Sequence, residues 1–130
     1  MKQTVRRLYE EFLNDGKDAV ADEIVTDDFV FHPVPEENIL GPARLRHVRD
    51  FLATAFSDVR FDVEDMVAEG DRVAVRFTMN ATHSQDWHDL PATGKRFAMR
   101  GTSFFRVSDG RMAEGWNLLD SAGAMRQLRD

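Results

Sequence analysis

The apolar residues of this chain change period once, and that change restricts the fold more than any other feature. Up to Phe56 they recur at helical spacing; from Val59 onward they alternate with polar residues. Val5, Leu8, Phe12 and Leu13 mark one helix, stopped by Asn14-Asp15-Gly16, and Val20 and Ile24 mark a second over 18–25. Thr26-Asp27-Asp28 breaks the pattern before a short apolar run, Phe29-Val30-Phe31. Pro33 and Pro35 then keep 32–40 out of regular helix. Gly41-Pro42 opens a third helix with the stripe Leu45, Val48, Phe51, Leu52, Ala55 and Phe56. In the second half, Val59, Phe61, Val63 and Val67, the turn Glu69-Gly70-Asp71, and Val73, Val75, Phe77 and Met79 read as a hairpin. A loop over 83–94, a strand over 96–107, the turn Ser108-Asp109-Gly110, a strand over 111–119 and a short helix over 121–128 complete the chain.

Helices followed by an antiparallel meander specify an α+β fold. We expect one domain over 1–130, in which three N-terminal helices pack on a curved, mainly antiparallel sheet. A sheet curled over a helix leaves a cone open at one end, where a ligand would sit. The 130 residues suffice for one core and one such cavity. A formal charge of −6 disfavours nucleic acid and anionic membrane surfaces as partners. The absence of cysteine excludes disulfides, thiolate catalysis and Cys-ligated metals. No run reaches the ~20 apolar residues of a membrane-spanning helix. The N-terminus lacks a signal-peptide pattern, so a cytoplasmic location is expected.

Several motifs carry a family resemblance. Glu64-Asp65, Gly70-Asp71-Arg72-Val73-Ala74-Val75-Arg76, Thr82-His83, Pro91-Ala92-Thr93-Gly94-Lys95, Phe105-Arg106 with Asp109-Gly110-Arg111, Glu114-Gly115-Trp116 with Asp120, and Ala124-Met125-Arg126-Gln127-Leu128 stand in this order. Together they resemble the SnoaL-like polyketide cyclases over nearly the whole chain. The resemblance implies the cone-shaped nuclear-transport-factor-2-like fold and an intramolecular aldol or ketosteroid-isomerase-like reaction on a small apolar carbonyl compound. It also implies no metal and no organic cofactor, and a homodimer. The family's acid/base carboxylate stands near the end of the last strand, and the matching position here is Asp120. A non-catalytic ligand carrier or dimeric interaction module on the same scaffold is the alternative.

Each candidate residue has a functional and a structural reading. Asp120 shares parity with Met112, Glu114, Trp116 and Leu118, so a place beside apolar side chains in the cone would raise its pKa toward proton-transfer range. Asp120-Ser121 also suits the N-cap of the last helix. His32 would polarise a carbonyl or orient Asp120, or would hydrogen-bond the loop it opens. Trp116, Leu118 and Phe51 offer apolar surface to a flat ligand. His83 is expected to contact ligand or to pin a strand end; a metal site with Asp86 and His88 is disfavoured by spacing. In the aldol cyclases a His precedes the catalytic Asp by fourteen residues, and Arg106 stands there in this chain. A guanidinium does not shuttle protons at neutral pH, so it would anchor an anion or lie on the surface. Arg44, Arg46 and Arg49 read as a solvated helix face, with His47 beside the apolar stripe.

Overall fold

A computed structural model describes residues 1–130. Helix α1 (Lys2–Arg7) continues unbroken into a wider π-helical segment (Leu8–Asn14), followed by α2 (Val20–Ile24), β1 (Val25–His32) and α3 (Pro42–Ala53). Strands β2 (Phe56–Glu69), β3 (Arg72–His83), β4 (Arg96–Ser108) and β5 (Arg111–Leu119) follow, and α4 (Ser121–Arg129) ends the chain. The strands form one sheet in the order β1-β5-β4-β3-β2; β1 runs parallel to β5 and all other pairs are antiparallel. The architecture is the expected α+β one. The apolar run at 29–31 grows into an eight-residue strand beginning at Val25. Its polar stretch Thr26-Asp27-Asp28 belongs to an edge strand, where Asp27 and Asp28 face solvent.

The helices cover one face of the sheet, and the core lies between. Val73, Val75, Phe77, Met79 and Ala81 of β3 and Phe97, Met99, Phe105 and Val107 of β4 are buried against Val5, Leu8, Tyr9, Phe12, Ile24 and Leu45. Strict alternation explains the β3 and β4 sets, since every second side chain points at the helices. Strand β5 breaks that rule. Val107 pairs with Met112, yet Arg106 pairs with Glu114, which leaves Ala113 as a bulge. Met112 is fully buried, but beyond the bulge Gly115, Asn117 and Leu119 turn toward the helices, and Glu114, Trp116 and Leu118 turn away.

Gly115 occupies an inward position where no side chain fits. A Cβ there would meet the rings of Phe105 at 2.8 Å and Phe31 at 2.9 Å. Those rings stack on each other, with centroids 5.7 Å apart, so neither has room to retreat. Gly115→Ala is expected to destabilise the fold by about 1–3 kcal/mol through overpacking, measured by urea unfolding at constant m-value.

Candidate functional site

An apolar cavity of about 50 Å³ lies between the helical layer and the sheet. Leu8, Tyr9 and Leu13 line it from the π-helical segment, and Leu45, Val48 and Leu52 from α3. Phe31, Phe61, Phe77, Met79, Asn117 and Leu119 supply the sheet side. Eleven of these twelve residues are hydrophobic, and Asn117 is the exception. Its Oδ1 accepts a 2.7 Å hydrogen bond from the Ser103 hydroxyl, across the β4–β5 ladder. Ser103 also stands close enough to Tyr9, the only tyrosine of the chain, to act on its phenol. Burial pushes the Tyr9 hydroxyl well above its ordinary pKa and Ser103 offsets part of that rise, so the phenol is neutral at physiological pH. The Asn117 amide nitrogen has no protein partner and is left as a donor toward the cavity.

None of Asp120, His32, Trp116, Leu118, Phe51, Arg106 and His83 lines this cavity. His32, Trp116 and Arg106 do come together, but on the outer face of the sheet. The His32 ring stacks on Trp116 at 5.5 Å, and its Nε2 lies 2.8 Å from the Glu114 carboxylate. Arg106 reaches the other carboxylate oxygen at 3.6 Å, and the Arg72 guanidinium covers the second face of Trp116 at 5.3 Å. The hydrogen bond from His32, followed by the charges of His32 and Arg106, holds the Glu114 carboxyl below its usual range. Leu118 is 74% exposed farther along the same face, and Phe51 is 60% exposed on α3. The bulge at Ala113 is the reason: parity counted from Met112 reverses before Trp116 is reached.

The expected dry environment of Asp120 is corrected as well. Asp120 is exposed, and its Oδ1 accepts the backbone N–H of Gly123 at 2.9 Å as the N-cap of α4. It borders a groove lined by Arg76, Arg100 and Leu118 and by Phe77 and Leu119, two residues that also line the cavity. His83 is fully buried away from the cavity; its Nδ1 accepts the N–H of Thr93 at 3.2 Å, which pins the end of β3 to the 84–94 loop. Asp86 receives the N–H of Ala92 at 3.1 Å and His88 is exposed, so the three do not converge on a common point. Arg46 and Arg49 form surface ion pairs with Asp18, as a solvated helix face should, but Arg44 is buried.

Tyr9, Ser103 and Asn117 were missed. Ser103 had a signal, because 97, 99, 101, 103, 105 and 107 point inward in β4 and it is the only polar side chain among them. The spacing of fourteen residues carried over from the aldol cyclases also recurs inside the cone. Arg106 faces Glu114 across the ladder, whereas Ser103 faces Asn117, fourteen residues on. Ser103 and Asn117 both carry neutral side chains.

A family model described as SnoaL-like polyketide cyclase matches residues 3–128. The aklanonic acid methyl ester cyclase DauD of Streptomyces sp. (strain C5) is 27% identical over 128 residues, 95% of this chain and 78% of that protein. The crystal structure of IdmH from Streptomyces antibioticus, a candidate polyketide cyclase, superposes with a TM-score of 0.86 at 31% identity, covering 99% of this chain and 98% of IdmH.

The cap assignment of Asp120 has a direct check. Asp120→Ala should cost about 1 kcal/mol of stability, and Asp120→Asn only a few tenths, because Asn caps as well as Asp. Thermal unfolding of the two variants beside the parent protein measures both.

Proposed function

The chain belongs to the SnoaL-like polyketide cyclase family, and from that premise we propose that it closes a ring on a small, largely apolar carbonyl compound held in the helix–sheet cavity. The observation that carries this reading is the single polar break in an otherwise apolar lining, the Asn117 amide, which the Ser103 hydroxyl holds by a hydrogen bond. An Asn117 N–H directed at a ligand carbonyl would stabilise the negative charge that grows on its oxygen as a carbon–carbon bond forms. The apolar wall would hold a flexible chain folded with its two ends close, which removes much of the entropic barrier. No carboxylate or histidine lines the cavity, so the protein supplies confinement and polarisation there rather than a proton-accepting base. An aldol closure balances under those conditions when the nucleophile is the enol of a β-dicarbonyl unit. Its carbon attacks the acceptor carbonyl, and its O–H proton passes to the acceptor oxygen. A cavity of about 50 Å³ has to widen around such a ligand, and α3 is the wall that can yield, since Val48 and Leu52 are only half-buried.

The assembly proposed with this reading is a homodimer through the outer face of the sheet. Val67, Ala74, Phe104 and Trp116 follow one another in register from β2 to β5. Val67, Phe104 and neighbouring Leu118 are 61%, 54% and 74% exposed, an apolar stripe that a second copy would cover.

Two measurements test these readings. In the closure of a synthetic aryl-tethered β-diketone, Asn117→Leu should lower kcat by about 10²-fold and Tyr9→Phe by about ten-fold, with Asp120→Asn unchanged. Loss of turnover in Asp120→Asn, with Asn117→Leu active, would return the chemistry to the outer groove. Light scattering should give twice the chain mass for the parent protein and the chain mass for Leu118→Glu.

A further inference from the structure

Three inward positions stand abreast where the sheet floors the chamber: Phe77 of β3 pairs with Gly101 of β4, and Gly101 pairs with Leu119 of β5. The middle position carries no side chain, so its two neighbours lean together over it. A Cβ on Gly101 would lie 2.5 and 2.7 Å from Cζ and Cε2 of the Phe77 ring, and 2.8 Å from Cδ2 of Leu119. These separations are shorter than van der Waals contact, so the notch above Gly101 is filled by the ends of those two side chains. Gly101 has no positive φ, and the ladder is regular around it, with no bulge on either side. Its backbone therefore does not call for glycine; the close approach of Phe77 and Leu119 does.

Phe77 and Leu119 both line the chamber, so what holds them against the sheet also sets the space above them. The Phe77 ring is 2% exposed, with the backbone of β4 beneath it. The rings of Tyr9 and Phe61 flank it at 5.0 and 5.6 Å between centroids, and they close a triangle by packing on each other at 5.9 Å. A side chain at position 101 would lift the ring and Leu119 off the sheet, and the open space on that side is the chamber. A cavity of about 50 Å³ has none to spare. The next inward row across these strands is Val75, Ser103 and Asn117. The notch thus lies one row from the amide that faces the ligand carbonyl.

We propose that Gly101 sets the size of the group the chamber accepts beside Asn117: its notch takes up the ends of Phe77 and Leu119 and so leaves room for a carbonyl substituent longer than methyl. This rests on the cavity being the ligand site, as read above, and adds which part of the ligand that site measures. The substrate class narrows to carbonyl compounds with an alkyl chain of several carbons on the side facing β3 and β4. Gly101 touches no ligand itself. It is a positioning residue that acts through Phe77 and Leu119.

The test is a calorimetric or NMR titration of the full chain with acetophenone and with valerophenone, whose alkyl groups on one carbonyl are methyl and butyl. The parent protein should bind valerophenone more tightly. Gly101→Ala should cut the valerophenone-to-acetophenone affinity ratio by about ten-fold, the size of a modest overpacking penalty that falls on the longer chain alone. Phe77→Leu, which puts a smaller side chain over the notch, should raise the ratio above the parent's and serves if Gly101→Ala does not fold. Combining the two substitutions should bring the ratio back near the parent value. A loss of stability alone weakens both ketones alike. That result in Gly101→Ala, a Phe77→Leu ratio no higher than the parent's, or a parent protein with no preference for valerophenone overturns the size assignment and leaves the cavity reading intact. Failure of both ketones to bind the parent protein at millimolar concentration overturns the cavity reading and this proposal with it.

Discussion

One inserted residue, Ala113, decides which side of the sheet each later side chain of β5 faces. Period-two alternation admits no gradual error, so a single bulge exchanges the two faces completely. Upstream of it Met112 packs in the core; downstream Gly115, Asn117 and Leu119 take over the inward positions. The cavity depends on this exchange. Gly115 makes room for the stacked rings of Phe31 and Phe105, the first of which lines the chamber, and Asn117 brings in an amide that the chamber otherwise lacks. Trp116 is sent outward by the same step, to stack between His32 and Arg72.

The architecture was legible because it follows from periodicity, and periodicity is averaged over many residues. The hairpin, the two long strands after it and α3 opening on Pro42 all stand where the pattern of apolar residues put them. Strand β1 was legible only in its apolar half, since its first half is polar and at a sheet edge. The chemistry was far less legible, because it depends on single residues and on parity. Asp120 and Arg106 were read by spacing along the chain, which does not show that Asp120 caps α4 and Arg106 faces Glu114 outside the cone. Arg44 was read as solvated with Arg46 and Arg49 because helical spacing does not reveal that the segment carrying Pro33 folds back over it.

Family membership and site chemistry therefore carry different information here. The match over residues 3–128 accounts for the scaffold and for an apolar chamber between helices and sheet. The polar atoms of that chamber's lining come from a neutral amide, Asn117, held by the Ser103 hydroxyl, and from the Tyr9 phenol. Such a set can orient and polarise a carbonyl without exchanging protons with it. Charged side chains are abundant, yet none lines the chamber, and Arg44, the one that is buried, packs against the Phe31 ring.

The uneven embedding of the chamber walls has a kinetic consequence. The sheet side and the π-helical segment are anchored by fully buried residues such as Phe12 and Met79, whereas α3 holds its place mainly through Leu45 and Arg44. A guest larger than the present chamber therefore displaces that helix before the other walls, which carry the fully buried core. Loosening the helix would speed the exchange of such a guest at the expense of its residence time.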